Sequence, residues 1–337
     1  MRFKVDKSHR YFLKKTARSL NLSFSILPAY VRFMLSYGYL IARAMDSVVD
    51  ESDAEPKVKR IFLESVKNMI CGGKRSIEGS LKSSAISGLK GDERDLVLSI
   101  DDIVGYLLSN ITAQDIYCVK KLINGIFEGM MIDLEMERDD GCISDMKTLD
   151  RYTSLIGGIP ALYWYDVYTN YRSDIFRDNL YSTAYKIGKA LQYVNILRDM
   201  GNDIKKGRCY VPAQYLKEKN LTLEDLKKPA NLVKIKDFIR SIIIISVDYL
   251  DKSEKFISSI DISELTMRIS VVWPIYWAMD TLYLVWQNNP LASKVKISSL
   301  AIYKTLLKSP LLLSNSFFCQ GYRFRREVLM LSINSQS

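Results

Sequence analysis

The run Tyr39-Leu-Ile-Ala-Arg43-Ala-Met-Asp46-Ser-Val-Val-Asp50-Glu51 sets Tyr39, Arg43, Asp46 and Asp50 at intervals of four, three and four. Those intervals put all four on one face of a helix. Carboxylates one turn apart repel each other, and a divalent cation shared by both offsets that cost most simply. Magnesium takes one or two carboxylates together with water and phosphate oxygens, so it suits such a ledge. A second run, Gln192 to Asp203, repeats the arrangement: Asn195, Asp199 and Asp203 stand at four-residue steps, with Gln192 three residues before Asn195. Each run carries an arginine, Arg43 or Arg198, that would weaken a bare cation site but would help grip a diphosphate between metal ions. Lys205, Lys206 and Arg208 follow the second run at once. A lone aspartate pair at this spacing is usually solvated helix surface. Two such helices, each with its arginine, point instead to a site with Asp46, Asp50, Asn195, Asp199 and Asp203 as metal ligands. Tyr39, Arg43, Gln192, Arg198 and Arg208 would then surround the diphosphate.

The chemistry follows from the groups. Cations around a diphosphate stabilise the charge that builds on it as its C–O bond breaks, so the organic half leaves as an allylic cation. That cation must meet a second alkene before water, which calls for a dry cavity lined by apolar and aromatic side chains. Phe33, Tyr37, Phe127, Tyr163, Trp164, Tyr168, Trp273 and Trp277 could supply it, although aromatics at helical spacing are more often ordinary core.

The elements that must position these groups are helices. The chain has 337 residues, 48% apolar, with only 16 Gly and 8 Pro, a composition suited to long helices, short connections and a large core. Helical periodicity is expected over 28–50, 115–137, 148–171, 175–203, 231–258, 263–287 and 295–307. Residues 71–92, with Gly72, Gly73, Gly79, Gly88 and Gly91, read as the most loop-like stretch. The single histidine, His9, leaves no Ser/His/Asp triad and no His-rich metal site. Five cysteines, scattered and without a Cys-x-x-Cys pair, read as reduced, packing thiols of a cytoplasmic protein. The net charge of +10 admits a polyanionic substrate, an anionic membrane or nucleic acid. The basic residues are dispersed and no nucleic-acid-binding signature occurs, so no nucleic acid is expected. The N-terminal fifteen residues lack the apolar core of a signal peptide. No transmembrane helix is expected either, because no segment reaches the roughly 18 to 20 apolar residues that span a bilayer.

At these motifs the sequence resembles the squalene/phytoene synthase family, the trans head-to-head isoprenoid synthases, and squalene synthases in particular. Asp46-Ser-Val-Val-Asp50-Glu51 is similar to the family's first Asp-x-x-x-Asp motif. Asn195-Ile-Leu-Arg198-Asp199-Met-Gly201-Asn-Asp203, with Gly207-Arg208-Cys-Tyr210-Val-Pro212 after it, resembles the second. Between them, Gly129-Met-Met-Ile-Asp133 and Arg151-Tyr152-Thr-Ser-Leu-Ile-Gly157-Gly158 are similar to two further family stretches.

The resemblance implies an all-α fold, a single-domain helical bundle with a central cavity, built from 17–305 between a basic segment (1–16) and a basic, apolar tail (306–337). It adds Tyr152 as a catalytic residue, and Ser19, Tyr276 and Lys294 around the diphosphate. It also implies a prenyl pocket bordered by Leu20, Leu155, Ile156, Gly157 and Pro160, where this sequence departs from relatives. Gly157 stands where relatives carry a methyl group and is expected to leave room for the chain.

The implied reaction is Mg²⁺-dependent, head-to-head condensation of two prenyl diphosphates (C15 or C20) between two Asp-rich helices. With farnesyl diphosphate it yields presqualene diphosphate and squalene, and then NADPH is the expected reductant. A phytoene or dehydrosqualene synthase, or a non-catalytic binding or assembly factor on the same scaffold, stands as the alternative. The tail, which mixes Phe317 and Phe318 with Arg323, Arg325 and Arg326, is the expected place of a peripheral membrane contact.

Overall fold

In the computed structural model, which describes residues 3–17, 23–73, 75–138, 140–172, 178–311 and 314–335, the chain is all-α, with no β-strand among those residues. In chain order the helices are α1 (Lys7–Thr16), α2 (Ala29–Glu51), α3 (Pro56–Cys71), α4 (Gly79–Ala85), α5 (Gly91–Leu98), α6 (Ile100–Asn110), α7 (Ala113–Arg138) and α8 (Met146–Thr153). A π-helical segment, Ser154–Gly158, leads into α9 (Ile159–Tyr171). There follow α10 (Asp178–Lys205), α11 (Ala213–Glu218), α12 (Leu223–Leu226), a 3₁₀ segment (Pro229–Ile235), α13 (Lys236–Asp251), α14 (Ser253–Ser259), α15 (Leu265–Gln287), α16 (Ser299–Leu307) and α17 (Asn315–Ser335). The chain divides into two compact units, one of Met1–Leu134 with Leu162–Arg177, the other of Glu135–Ala161 with Asp178–Ser337.

In the first unit α2 is the central element. From Leu35 to Asp50 every residue is buried except Tyr39, Ala42, Arg43, Asp46 and Asp50, which are half-buried. A helix apolar on nearly all sides is packed on nearly all sides, and the polar stripe is its one partly open ridge. The helix ends at Ser52, whose hydroxyl donates to the Ala85 carbonyl at 2.7 Å, and Pro56 opens α3 at a position where no amide is needed. Buried Lys59 on α3 donates to the Val49 carbonyl at 3.0 Å, covering an orphan acceptor in the last turn of α2. The basic N-terminal segment contains α1, which is docked through buried His9, Phe12 and Leu13. His9 lies 2.8 Å from both the Tyr37 hydroxyl and the Asp102 carboxylate.

In the second unit α10 holds the corresponding place, packed against α13, the π segment and α15. Buried Phe238, Ile239, Ile242, Ile243, Val247 and Leu250 give α13 its apolar face at steps of three and four. The stretch expected as a tail instead contains α17, whose Phe318, Tyr322, Leu329 and Ile333 are buried. Its arginines are spent within the unit: Arg323 on Glu254 (2.6 Å), Arg325 on Asp280 (2.8 Å) and Arg326 on Asp251 (2.8 Å). Exposed apolar side chains of this unit stand on and just after α16, where Leu300, Tyr303, Leu307 and Leu311 are 54–62% exposed, and on α17, where Phe324 and Leu331 are equally open. No described helix is long and apolar enough to cross a membrane.

Candidate active site

On the ridge of α2, Arg43 is the organising charge. It donates to Asp46, to Glu93 Oε1 at 2.7 Å and to Glu51 Oε1 at 3.3 Å. Ser47, one turn on, donates to the other Glu93 oxygen at 2.5 Å. Burial works against the guanidinium charge, but Asp46 and Glu93 outweigh it and hold Arg43 more firmly protonated than usual. Tyr39 turns its hydroxyl to the Thr16 carbonyl at 2.8 Å, tying the end of α1 to this ridge. Asp46 and Asp50 follow as half-buried carboxylates one turn apart, as the spacing predicts.

On α10, between Leu191 and Asp203, the residues that are not buried are Leu191, Gln192, Asn195, Arg198, Asp199, Asn202 and Asp203, again one ridge of a packed helix. Arg198 grips Asp199 with two hydrogen bonds, 3.1 and 2.6 Å, and Lys294 reaches the same carboxylate at 2.7 Å. Burial raises the Asp199 carboxyl, but Arg198 and Lys294 more than reverse this, so it ionises more readily than an ordinary aspartate. Asn195 donates to Gln192 at 3.3 Å. After the helix, Arg208 donates to Glu137 at 2.9 Å, and Asp203, Arg208 and Tyr210 lie close together with no open space between them.

Tyr152, buried at the end of α8, shares a hydrogen bond of 2.9 Å with the Tyr210 hydroxyl, the two rings lying 4.9 Å apart. Asp150, two residues earlier, accepts from buried Lys189 at 2.6 Å and fixes α8 on α10. Thus α10, α8 and the segment around Arg208 form one hydrogen-bonded assembly.

Several expectations change. A side chain on Gly157 would place its Cβ 2.4 Å from the Gly188 carbonyl oxygen and 2.6 Å from Gln192 Cβ. The missing methyl is therefore filled by α10 and is not room for a prenyl chain. Leu155, Ile156 and Pro160 are half-buried along the same turn and the start of α9. Tyr276 gives its hydroxyl to the Phe318 carbonyl at 2.8 Å, under α17, and is not drawn into the Asp199 cluster. Ser19 and Leu20 lie outside the described residues. Glu93, Glu137 and Tyr210 hold the candidate groups Arg43, Arg208 and Tyr152 yet were not expected among the site residues. For Glu93 no signal existed, since it sits outside every motif. Tyr210 stands within the second motif's close and could have been included.

Among the described residues no three of His, Cys, Asp and Glu converge as a ready-made cation cage. The donors come as the Asp46–Asp50 pair and as the spaced set Asn195, Asp199 and Asp203. Such incomplete oxygen sets fit magnesium, which fills its octahedron with water and phosphate oxygens, better than calcium, which prefers six to eight ligands in a more flexible geometry.

The family model for squalene/phytoene synthase matches residues 13–300. The bifunctional lycopene cyclase/phytoene synthase of Colletotrichum graminicola is 25% identical over 241 residues, which cover 70% of this chain but only 39% of that protein. Among solved structures, a ligand complex of TcSQS has a TM-score of 0.78 at 18% identity, covering 96% of this chain and 92% of that one. A dehydrosqualene synthase with bound ligand has a TM-score of 0.64 at 18% identity, covering 91% and 96%. Both likenesses are of fold.

Proposed function

Because the chain belongs to the squalene/phytoene synthase family, we propose that it is a prenyltransferase that joins two prenyl diphosphates head to head. The observation that carries this reading is the pairing on the two ridges: each presents carboxylates already matched to cationic side chains, Asp46 to Arg43 and Asp199 to Arg198 and Lys294. Arg43, Arg198, Arg208 and Lys294 bind diphosphate oxygens, exchanging carboxylate partners for phosphate ones as charge-assisted donors can. Asp46 and Asp50, and Asn195, Asp199 and Asp203, hold Mg²⁺, whose chemistry is to neutralise charge developing on the leaving diphosphate. Tyr152, buried and oriented by Tyr210, faces the organic part of the substrate and steadies the cation left behind.

The close of the second motif and the Arg151-Tyr152-Thr opening favour two C15 units going to presqualene diphosphate and squalene. The names of the curated relatives favour a second reading, in which two C20 units give phytoene. Mass spectrometry of products from C15 and C20 diphosphates, each with and without NADPH, distinguishes them. A hydrocarbon from C15 diphosphate that requires NADPH supports the first, and phytoene from C20 diphosphate supports the second. The exposed ridge Leu300, Tyr303, Leu307 and Leu311, beside exposed Lys296, Lys304 and Lys308, suits a peripheral contact with an anionic lipid surface.

A further inference from the structure

Two of the five free cysteines, far apart in sequence, meet. Gly141 and Gly207, both with positive φ (74° and 83°), let two backbone segments pass so closely that a Cβ on Gly141 would lie 2.3 Å from the Gly207 carbonyl oxygen. Just beyond this crossing Cys209 donates to the Gly141 carbonyl at 2.7 Å and accepts from the Ile143 amide at 2.9 Å. These two bonds make Cys142 and Cys209 directly opposed partners of an isolated parallel bridge. Opposed residues of neighbouring strands have backbones about 4.8 Å apart, within the roughly 4.4–6.8 Å Cα separation that a disulfide spans. Side chains of directly opposed residues leave a bridge on the same side, and the Cys209 thiol, buried here, donates to the Val211 carbonyl at 3.5 Å. Cys71, Cys118 and Cys319 take no part in this bridge.

We propose that Cys142 and Cys209 form a reversible dithiol/disulfide couple that staples the segment carrying Arg208 and Tyr210. Cys142 is half-buried and Cys209 is 1% exposed, which orders the steps. The Cys142 thiolate attacks a low-molecular-weight disulfide such as glutathione disulfide, forming a mixed disulfide and releasing one glutathione thiolate. Cys209 then gives up its proton and attacks the Cys142 sulfur, releasing the second. Two protein thiols are oxidised, one glutathione disulfide is reduced, and both protons end on glutathione. The neighbourhood favours the same order, because the adjoining Cys209 holds the Cys142 thiol below its ordinary value while Cys142 and burial push the Cys209 thiol up. Closure fixes the residues on either side of Cys209: Arg208 on Glu137 and Tyr210 on Tyr152.

The full chain is equilibrated with reduced and oxidised glutathione, quenched, and examined by intact mass, thiol alkylation under denaturing conditions and peptide mapping. The couple predicts a mass lower by two hydrogen atoms, loss of two of the five alkylatable thiols, a single cross-linked peptide pair containing Cys142 and Cys209, and a higher melting temperature when oxidised. Cys209→Ser should instead stop with one glutathione on Cys142, and Cys142→Ser should leave Cys209 unmodified. A wild-type protein that ends as a stable glutathione adduct, that keeps Cys209 alkylatable, or that links any other pair overturns the proposal.

Discussion

Lys294 and Asp199, 2.7 Å apart, are joined from opposite directions: Lys294 comes from the extended stretch before α16, and the amide of the next residue, Val295, donates to the Arg198 carbonyl at 3.1 Å. The lysine is thus held along α10 beside a carboxylate already gripped by Arg198. Lys294→Met should leave the melting temperature almost unchanged, since a partly exposed ion pair contributes about 0–1 kcal/mol. A charge-assisted contact with the diphosphate is worth about 1.5–3 kcal/mol, so kcat/KM should fall roughly ten- to a hundredfold. Steady-state kinetics with thermal melts checks both halves.

Gly157 gives a prediction opposite to the one its sequence context invites. Gly157→Val puts its Cβ against the Gly188 carbonyl and Gln192 Cβ, and the Gly188 backbone cannot give way cheaply. Overpacking of this kind costs about 1–3 kcal/mol, and it displaces the ridge that carries Gln192 and Asn195. The variant should melt lower and lose turnover on C15 and C20 diphosphates alike. A selective loss on C20 would show that this turn gauges chain length after all.

Asp280, under α17, is pushed above the usual carboxylate range by burial, although Arg325 pulls it back in part. The folded state therefore holds the proton more tightly than the unfolded one, and stability falls as pH rises from the unfolded value through the folded one. Asp280→Asn removes that charging cost. Its melting temperature relative to wild type should rise across this window and level off above it, as melts at a series of pH values will report.

The ridge on and after α16 should govern contact with lipid. Replacing Leu300 and Leu307 by Ser should reduce co-sedimentation with vesicles containing anionic phospholipid and leave melting unchanged, both side chains being more than half exposed. Added salt should weaken the wild-type interaction by screening Lys296, Lys304 and Lys308.

The two ridges were legible in the sequence because polar residues at steps of three and four stand out on helices that are otherwise apolar. What depends on a distant partner was not legible. The π turn at Ser154–Gly158 makes sense only beside Gly188, and Glu93 and Glu137 become significant only through Arg43 and Arg208. The cysteines meet only because Gly141 crosses Gly207. The helix α17 is a different case: Phe318, Tyr322, Leu329 and Ile333 fall at steps of four, seven and four. That periodicity was hidden by arginines whose charge is met by Asp251, Glu254 and Asp280 on other helices.

The most direct test of the account is product formation by Asp46→Asn, Asp50→Asn, Asp199→Asn and Asp203→Asn, with Mg²⁺ and with a chelator, followed by mass spectrometry and circular dichroism. Each variant should keep its helical spectrum and lose most condensation product, and the wild type should lose activity in chelator and regain it with Mg²⁺. Full turnover in two of the four variants, or undiminished turnover of the wild type in chelator, would contradict the assignment of these carboxylates to metal-assisted diphosphate chemistry.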